Sequence, residues 1–457
     1  MSPTRREFLA GGAGVLAAGA LAAKSGKLLD GVASAQAERP RPQPWLPRPQ
    51  DSGIDHIIVV MMENRSFDHY LGWVPGADGR QAGLHYRDAK GIRHTTHHLK
   101  DFQNCDHPDP DHSYDGGRIQ LNDGKCDGWL LTRPNELVDT FPIGYYTDAD
   151  LGFFGKAAPY WTTFDRYFAA TMAETMPNRF YMHAAQTDRK KTEVRIAQMP
   201  TIWDRLAQAG VSRRYYYSDV PYIALLGVRH LPISVPFELF LADCALGTLP
   251  SVSFVEPHLL GLGGDGTAGS DHPHGDIRTG QHFLNHVYKA VTNGPKWDRT
   301  ALIFNYDEWG GFYDHVRPGV APDAHADQGL GQRGFRVPAM LVSPRARRHH
   351  VAHETYDHTS ILKMIEWRFG LKPLTPRDRA ARNIAEAMDF HRRPNLKAPQ
   401  WEVPIHVPLP CWLPHDPAAP QTGAAPQTKA MPRPSAFEEL SDILDLAARS
   451  GFEIPST

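Results

Sequence analysis

Three short segments carry side chains that could act together on one ligand. Glu63 and Asn64 follow one apolar run, Asp307 and Glu308 follow a second, and Thr175 stands two residues before Pro177 in Glu174-Thr175-Met176-Pro177-Asn178-Arg179. Successive side chains on a regular strand point to opposite faces, so neither pair can converge unless the chain turns there. Gly310-Gly311 permits such a turn. Oxygen-bearing side chains gathered in this way repel one another unless a cation lies among them. Hard oxygen donors favour one divalent ion, Ca²⁺, Mg²⁺ or Mn²⁺, with Zn²⁺ as the alternative. Pro177 fits the first turn of a helix and places Thr175 at its positive end, where free backbone N–H groups hold phosphate. A hydroxyl bound there to a divalent metal becomes a nucleophile. A plain helix cap is the other reading of a threonine in that place.

The apolar pattern shows which elements must position these residues. Ile54–Met62 is read as a strand buried on both faces, hence central and parallel. Similar runs at Ser251–Val255, Ala301–Asn305 and Val337–Val342 alternate with segments at Thr201–Ala209, Ile277–Val291 and Thr359–Phe369 that repeat apolar residues at three- and four-residue spacing. Thr201 and Thr359 are placed as N-caps. Strands alternating with helices predict an α/β fold, a three-layer sandwich with a central, mainly parallel sheet. Such sheets bind ligands at the carboxyl ends of their strands, where Glu63-Asn64 and Asp307-Glu308 fall.

The chain has 457 residues, with Lys+Arg 49 against Asp+Glu 51. That balance provides no field to gather nucleic acid, and no nucleic-acid partner is expected. Thr4-Arg5-Arg6-Glu7-Phe8-Leu9, a Gly/Ala-rich run and the small residues closing at Ala35-Gln36-Ala37 resemble a twin-arginine signal peptide over residues 1–37. This implies the twin-arginine export machinery as a partner and an exported protein, in the periplasm, cell envelope or exterior. No transmembrane anchor remains after cleavage, because the weakly apolar run falls short of the roughly 20 residues that span a bilayer. Residues 38–53 read as a Pro-rich linker, 54–412 as the catalytic domain, 413–434 as a Pro/Ala-rich linker and 435–457 as a docking helix with a Ser435/Glu438 capping box. Cys105, Cys126, Cys244 and Cys411 allow three pairings in an oxidising compartment, and Cys105 with Cys126 is the most local.

The blocks ENRSFDHYLG, ETMPNRFYMHAA, SDHPHGD, YDEWGGFYDHV, GFRVPAMLVSPRAR and YDHTSILKMIEWRFGL resemble, in order, those of the bacterial phosphoesterase family. That family contains the phosphatidylcholine-preferring phospholipases C of mycobacteria and pseudomonads and a related acid phosphatase. The resemblance implies a fold similar to the alkaline phosphatase superfamily. It also implies that Glu63, Asn64, Thr175, Asp307 and Glu308 surround one metal, with Thr175 as the nucleophile. His112 and His272 match histidines that would contact the phosphoryl oxygens or the leaving group. The implied activity is metal-dependent hydrolysis of phosphate esters through a phospho-threonine intermediate, of the phospholipase C type on phospholipid head groups. A broad acid phosphatase or phosphodiesterase is the alternative, and a non-catalytic metal- or phosphate-binding envelope protein is the rival from another class.

Other polar residues have two readings each. Arg65 holds the turn or neutralises phosphate, and Arg179 joins it as a substrate-binding candidate through Thr175-x-Pro177-x-Arg179, a pattern similar to that of sulfatases. Oxidation of a threonine yields a ketone rather than the aldehyde those enzymes use, so sulfatase chemistry by that route is disfavoured. His358 lies at the site mouth, as a further substrate-binding candidate, or caps the following helix. Asp314-His315 pins the turn after Gly311 or ligates a second metal, and His94, His97 and His98 are structural or a metal tract. Trp309 stands where many family members have His.

Overall fold

The computed structural model describes residues 45–134, 137–259 and 266–411. The expected signal peptide, the 413–434 linker and the 435–457 helix lie outside the described residues. The end of the amino-terminal linker is not bare chain: Leu46 packs against the core and Pro49–Asp51 form one 3₁₀ turn.

β1 (His56–Met62) is buried from Ile57 onward, so both of its faces are covered. β2 (Thr162–Phe164), β3 (Arg213–Tyr217), β4 (Ser234–Pro236), β5 (Val252–Val255), β6 (Thr300–Tyr306), β7 (Ala339–Val342) and β8 (His350–Ala352) complete one eight-stranded sheet in the order β8-β2-β7-β6-β1-β5-β3-β4. β1 pairs in parallel with β5 and β6, β5 with β3, β3 with β4, and β2 with β8. β7 runs against both of its neighbours. β7 begins at Ala339 rather than Val337, because Pro338 offers no N–H to a ladder.

Helices cover both faces. The α-helices of five residues or more are α1 (Phe67–Leu71), α2 (Tyr114–Leu121), α3 (Thr175–Ala184), α4 (Ile202–Gln208), α5 (Phe237–Leu246), α6 (Ile277–Thr292), α7 (His358–Phe369) and α8 (Pro376–Ala380). The register puts Val59, Phe254 and Tyr215 on one face. His183 of α3 packs on Phe254 at 4.6 Å and Trp203 of α4 on Tyr215 at 6.2 Å. Val60, Val255, Tyr216 and Phe304 share the opposite face. There Phe240 of α5 meets Tyr216, while Phe153 bridges Phe304 to Tyr288 of α6. This is a three-layer α/β sandwich with a mainly parallel central sheet.

Thr201 caps α4 in a capping box with Asp204, as its position predicts. The cap of α7 is Asp357, not Thr359: its carboxylate accepts from Thr359 N, and Ser360 closes the box. A carboxylate at the positive end of a helix outcompetes a hydroxyl two residues further in.

The disulfide also departs from the local expectation. Cys105 is bonded to Cys411 across 306 residues, and Cys126 and Cys244 are free and buried. Cys126 is turned into a small apolar cluster with Trp129 and Phe335, while Gln103 Nε2 donates to the Leu409 carbonyl and ties the carboxyl-terminal strap beside Cys105. Among the described residues no helix is long and apolar enough to cross a membrane.

Candidate active site

β1 and β6 are neighbours in register, so Glu63 and Asp307 leave the sheet side by side. The ladder continues past the strand ends: Asp307 N donates to the Met62 carbonyl at 3.0 Å, and Arg65 N to the Glu308 carbonyl at 3.1 Å. Asn64 takes a left-handed φ of 57°, which Asn tolerates better than most residues. That conformation directs Asn64 N to Asp307 Oδ1 at 3.1 Å. Glu308 N also donates to this oxygen at 2.7 Å, and Gly310 N donates to Glu308 Oε2 at 2.7 Å.

These bonds satisfy one oxygen of each carboxylate and leave the other bare. Asp307 Oδ2, Glu308 Oε1 and Asn64 Nδ2 are buried without a hydrogen-bond partner. Thr175 is the first residue of α3, and its Oγ1 donates to Asn64 Oδ1 at 3.4 Å. Glu174, which precedes the helix, makes no side-chain cap bond. Glu63 is held by Arg179 Nη2 and Ser270 Oγ, both at 3.2 Å. Asn64 thus links the Thr175 hydroxyl to Asp307, and Arg179 lies between Glu63 and Asp307 Oδ2, at 3.2 and 3.4 Å.

Burial pushes the Asp307 carboxyl up to about 6 against the pull of Arg179, with Glu63 adding to the rise. Glu308 is driven well above the usual carboxylate range, again first by burial, and Glu63 is also raised by burial. Burial alone would lower His112, but the charges of Glu308 and Asp109 outweigh it and hold the imidazole up to about 10. Burial thus raises the three carboxylates, and neighbouring negative charge raises the imidazole. The two bare carboxylate oxygens, an amide and a hydroxyl form a donor set that suits a hard divalent cation.

His112 Nε2 lies 4.0 Å from Glu308 Oε1, and its ring meets that of His272 edge-on at 6.1 Å. With Asp109 these two histidines offer ligand atoms within 4.8 Å of one another. Burial lowers His272.

The remaining candidates are placed differently. Arg65 is fully buried, its Nε donating to the Asp271 carbonyl at 2.7 Å and its guanidinium lying over the Phe312 ring. Arg179 is buried among carboxylates, gripping both oxygens of Glu256 at 2.8 and 2.7 Å. His358 has no exposed surface: Nε2 donates to the Asp307 carbonyl at 2.6 Å, and Nδ1 faces the Tyr167 hydroxyl at 3.2 Å. Asp68, Asp314 and His315 offer ligand atoms within 4.8 Å of one another, while Arg336 pairs with both carboxylates and His315 with Asp68, contacts that also pin the turn after Gly311. Trp309 turns away into the Phe335 cluster and donates to Gln120 Oε1 at 2.8 Å. His94 pairs with Asp88 and His98 with Asp150, and among the described residues the three histidines form no ligand cluster.

Glu256 is the residue that the motif reading passes over. It follows β5 directly and is fully buried. The signal was available, because Val252-Ser253-Phe254-Val255 runs into a carboxylate just as the runs before Glu63 and Asp307 do.

The sequence profile of the phosphoesterase family matches residues 54–372. Non-specific phospholipase C1 of Arabidopsis thaliana is 30% identical over 407 residues, covering 79% of this chain and 75% of its own. Phospholipase C B of Mycobacterium tuberculosis is 30% identical over 484 residues, covering 89% of each chain. A solved structure of an alkaline phosphatase superfamily protein from Vibrio parahaemolyticus overlaps 71% of this chain and 69% of its own, with 10% identity and a TM-score of 0.37. The chain belongs to the phosphoesterase family and is a hydrolase acting on phosphoric ester bonds.

Proposed function

We propose that this protein is an exported, metal-dependent phosphodiesterase of the phospholipase C type that works through a phospho-threonine intermediate. The observation that carries the reading is the Thr175 hydroxyl, at the amino end of the ten-residue α3 and 3.4 Å from Asn64 Oδ1, beside carboxylates with bare oxygens. When bound by Glu63, Asn64, Asp307, Glu308 and Thr175, a divalent ion supplies positive charge that makes the hydroxyl nucleophilic and offsets charge at phosphorus.

The residues divide the work. Thr175 Oγ1 attacks phosphorus and the bond to the diacylglycerol oxygen breaks, leaving the head-group phosphate on Thr175. Thr175 releases its proton to solvent, and His112, the cationic imidazole beside Glu308, delivers one to the leaving oxygen. Water then attacks the same phosphorus and the bond to Oγ1 breaks; neutral His272 takes the proton of the water and passes it to Oγ1, and His112 regains from solvent the proton that Thr175 released. The Cys105–Cys411 disulfide supports an oxidising compartment and so export.

The test uses p-nitrophenyl phosphate, bis-p-nitrophenyl phosphate and phosphatidylcholine vesicles, each with and without a chelator. Diester and phosphatidylcholine hydrolysis that the chelator abolishes and a divalent ion restores is the expected result. Preference for the monoester would make the protein a phosphatase instead, and full activity after metal stripping would overturn the metal reading.

A further inference from the structure

Arg179 is a fixed positive charge in the space where a divalent ion is proposed to bind. Its Nη1 grips both oxygens of Glu256 at 2.8 and 2.7 Å, whereas Nη2 reaches Glu63 at 3.2 Å. Its Nε lies 3.4 Å from Asp307 Oδ2 yet makes no hydrogen bond, and that oxygen remains bare. The guanidinium therefore spends its closest contacts on the one carboxylate that is not a proposed metal ligand. Glu256 is itself fixed by the Tyr215 hydroxyl at 2.5 Å, and the Arg179 guanidinium is backed by the Tyr222 ring.

We infer that Glu256 is a positioning residue, which holds Arg179 back from Asp307 Oδ2 so that this oxygen stays open to a divalent cation. The inference rests on the metal reading above. Without the Glu256 carboxylate the guanidinium keeps only the longer Glu63 contact at 3.2 Å and the Tyr222 ring, and Asp307 Oδ2, 3.4 Å from Nε, is an acceptor with no hydrogen bond. Closing that gap would pair the arginine with a metal ligand and place a positive charge where the ion must enter. Glu256 thus acts on the site through Arg179 without touching substrate.

The experiment titrates Mn²⁺ into metal-stripped full-length protein by calorimetry. Glu256→Gln should weaken Mn²⁺ binding by about tenfold or more, as loss of a residue that orients metal ligands does. Turnover of bis-p-nitrophenyl phosphate should recover at saturating Mn²⁺ with KM unchanged. Adding Arg179→Gln to Glu256→Gln should return Mn²⁺ affinity toward that of the parent protein, because the competitor is gone. Folded Glu256→Gln protein with parental affinity would overturn the inference, as would a loss that Arg179→Gln does not reverse. If Glu256→Gln fails to fold, Tyr215→Phe decides: weaker Mn²⁺ binding supports the positioning role, and unchanged binding overturns it. Parent protein that binds no Mn²⁺ at all overturns the metal reading, and this inference with it. Parental binding that survives in the variants overturns the inference alone.

Discussion

The Asn64 carbonyl and the α-carbon of Gly310 pass so closely that a β-carbon on Gly310 would lie 2.1 Å from the carbonyl oxygen. Gly310 also holds a φ of 62°. This crossing lets Glu308 come back toward Asn64, so the donor set depends on a residue with no side chain at all. Gly310→Ala should therefore lower stability by at least about 2 kcal/mol and abolish most activity, since both backbone strain and a backbone clash oppose it. Gly210 is the control: its φ is 66°, but nothing lies within 4 Å of its added β-carbon. Gly210→Ala should cost only the left-handed strain, about 1 kcal/mol, and leave turnover unchanged. Urea denaturation and turnover on both variants separate the two effects.

The parts of this fold legible in the sequence are those where one local signal suffices. β1 and β6 are unbroken apolar runs, and the residues after them announce themselves by type. Arg213–Tyr217 is not legible as a strand because Arg-Arg-Tyr-Tyr-Tyr lacks a β-branched pattern; its tyrosines are buried by α4 and α5, which only the tertiary structure supplies. Short strands such as Thr162–Phe164 and His350–Ala352 carry too few residues to show a period. Cys411 lies 306 residues from its partner, a distance at which sequence cannot choose among pairings. The bare oxygens of Asp307 and Glu308 are a property of backbone N–H directions, which residue types do not encode.

The disulfide pattern makes a chemical prediction. Burial pushes the thiols of Cys126 and Cys244 up to about 12 each. Native protein should show no thiol reactive to an aromatic disulfide reagent, denatured protein two, and denatured, reduced protein four. Cys411→Ser should lower stability by about 2–4 kcal/mol by releasing the carboxyl-terminal strap from Cys105. Finding no thiols in the unreduced denatured protein would mean a second bridge.

Glu366, on α7 and far from the acidic pairs in sequence, offers a pH test of stability alone. It is 3% exposed, and burial, reinforced by Asp378, raises its carboxyl to about 9. The folded protein thus holds a proton that the unfolded chain gives up near 4.5. Stability from this group is full below pH 4.5 and is lost as pH rises toward 9. Glu366→Gln keeps the neutral shape, so it should raise stability at pH 8 by at least about 1 kcal/mol and leave it unchanged at pH 4. Chemical denaturation at the two pH values measures this, and equal effects at both would show that Glu366 is ionised in the fold.

The nucleophile carries the sharpest prediction, because the two readings of Thr175 differ in sign. As the attacking group, Thr175→Val keeps the shape and loses the hydroxyl, so turnover should fall by several orders of magnitude while the fold and Mn²⁺ binding largely survive. Thr175→Ser keeps an oxygen and should retain substantial activity, reduced because the missing methyl frees additional rotamers. A helix cap would show the reverse: Val would cost about 1 kcal/mol of stability with little effect on chemistry. The geometry already weakens the cap, since Thr175 is the first residue inside α3 and its hydroxyl is given to Asn64. Acid quench during turnover, followed by peptide mass spectrometry, should find phosphate on the peptide containing Thr175. Phosphate on a histidine or serine instead would leave Thr175 a structural residue and move the nucleophile elsewhere.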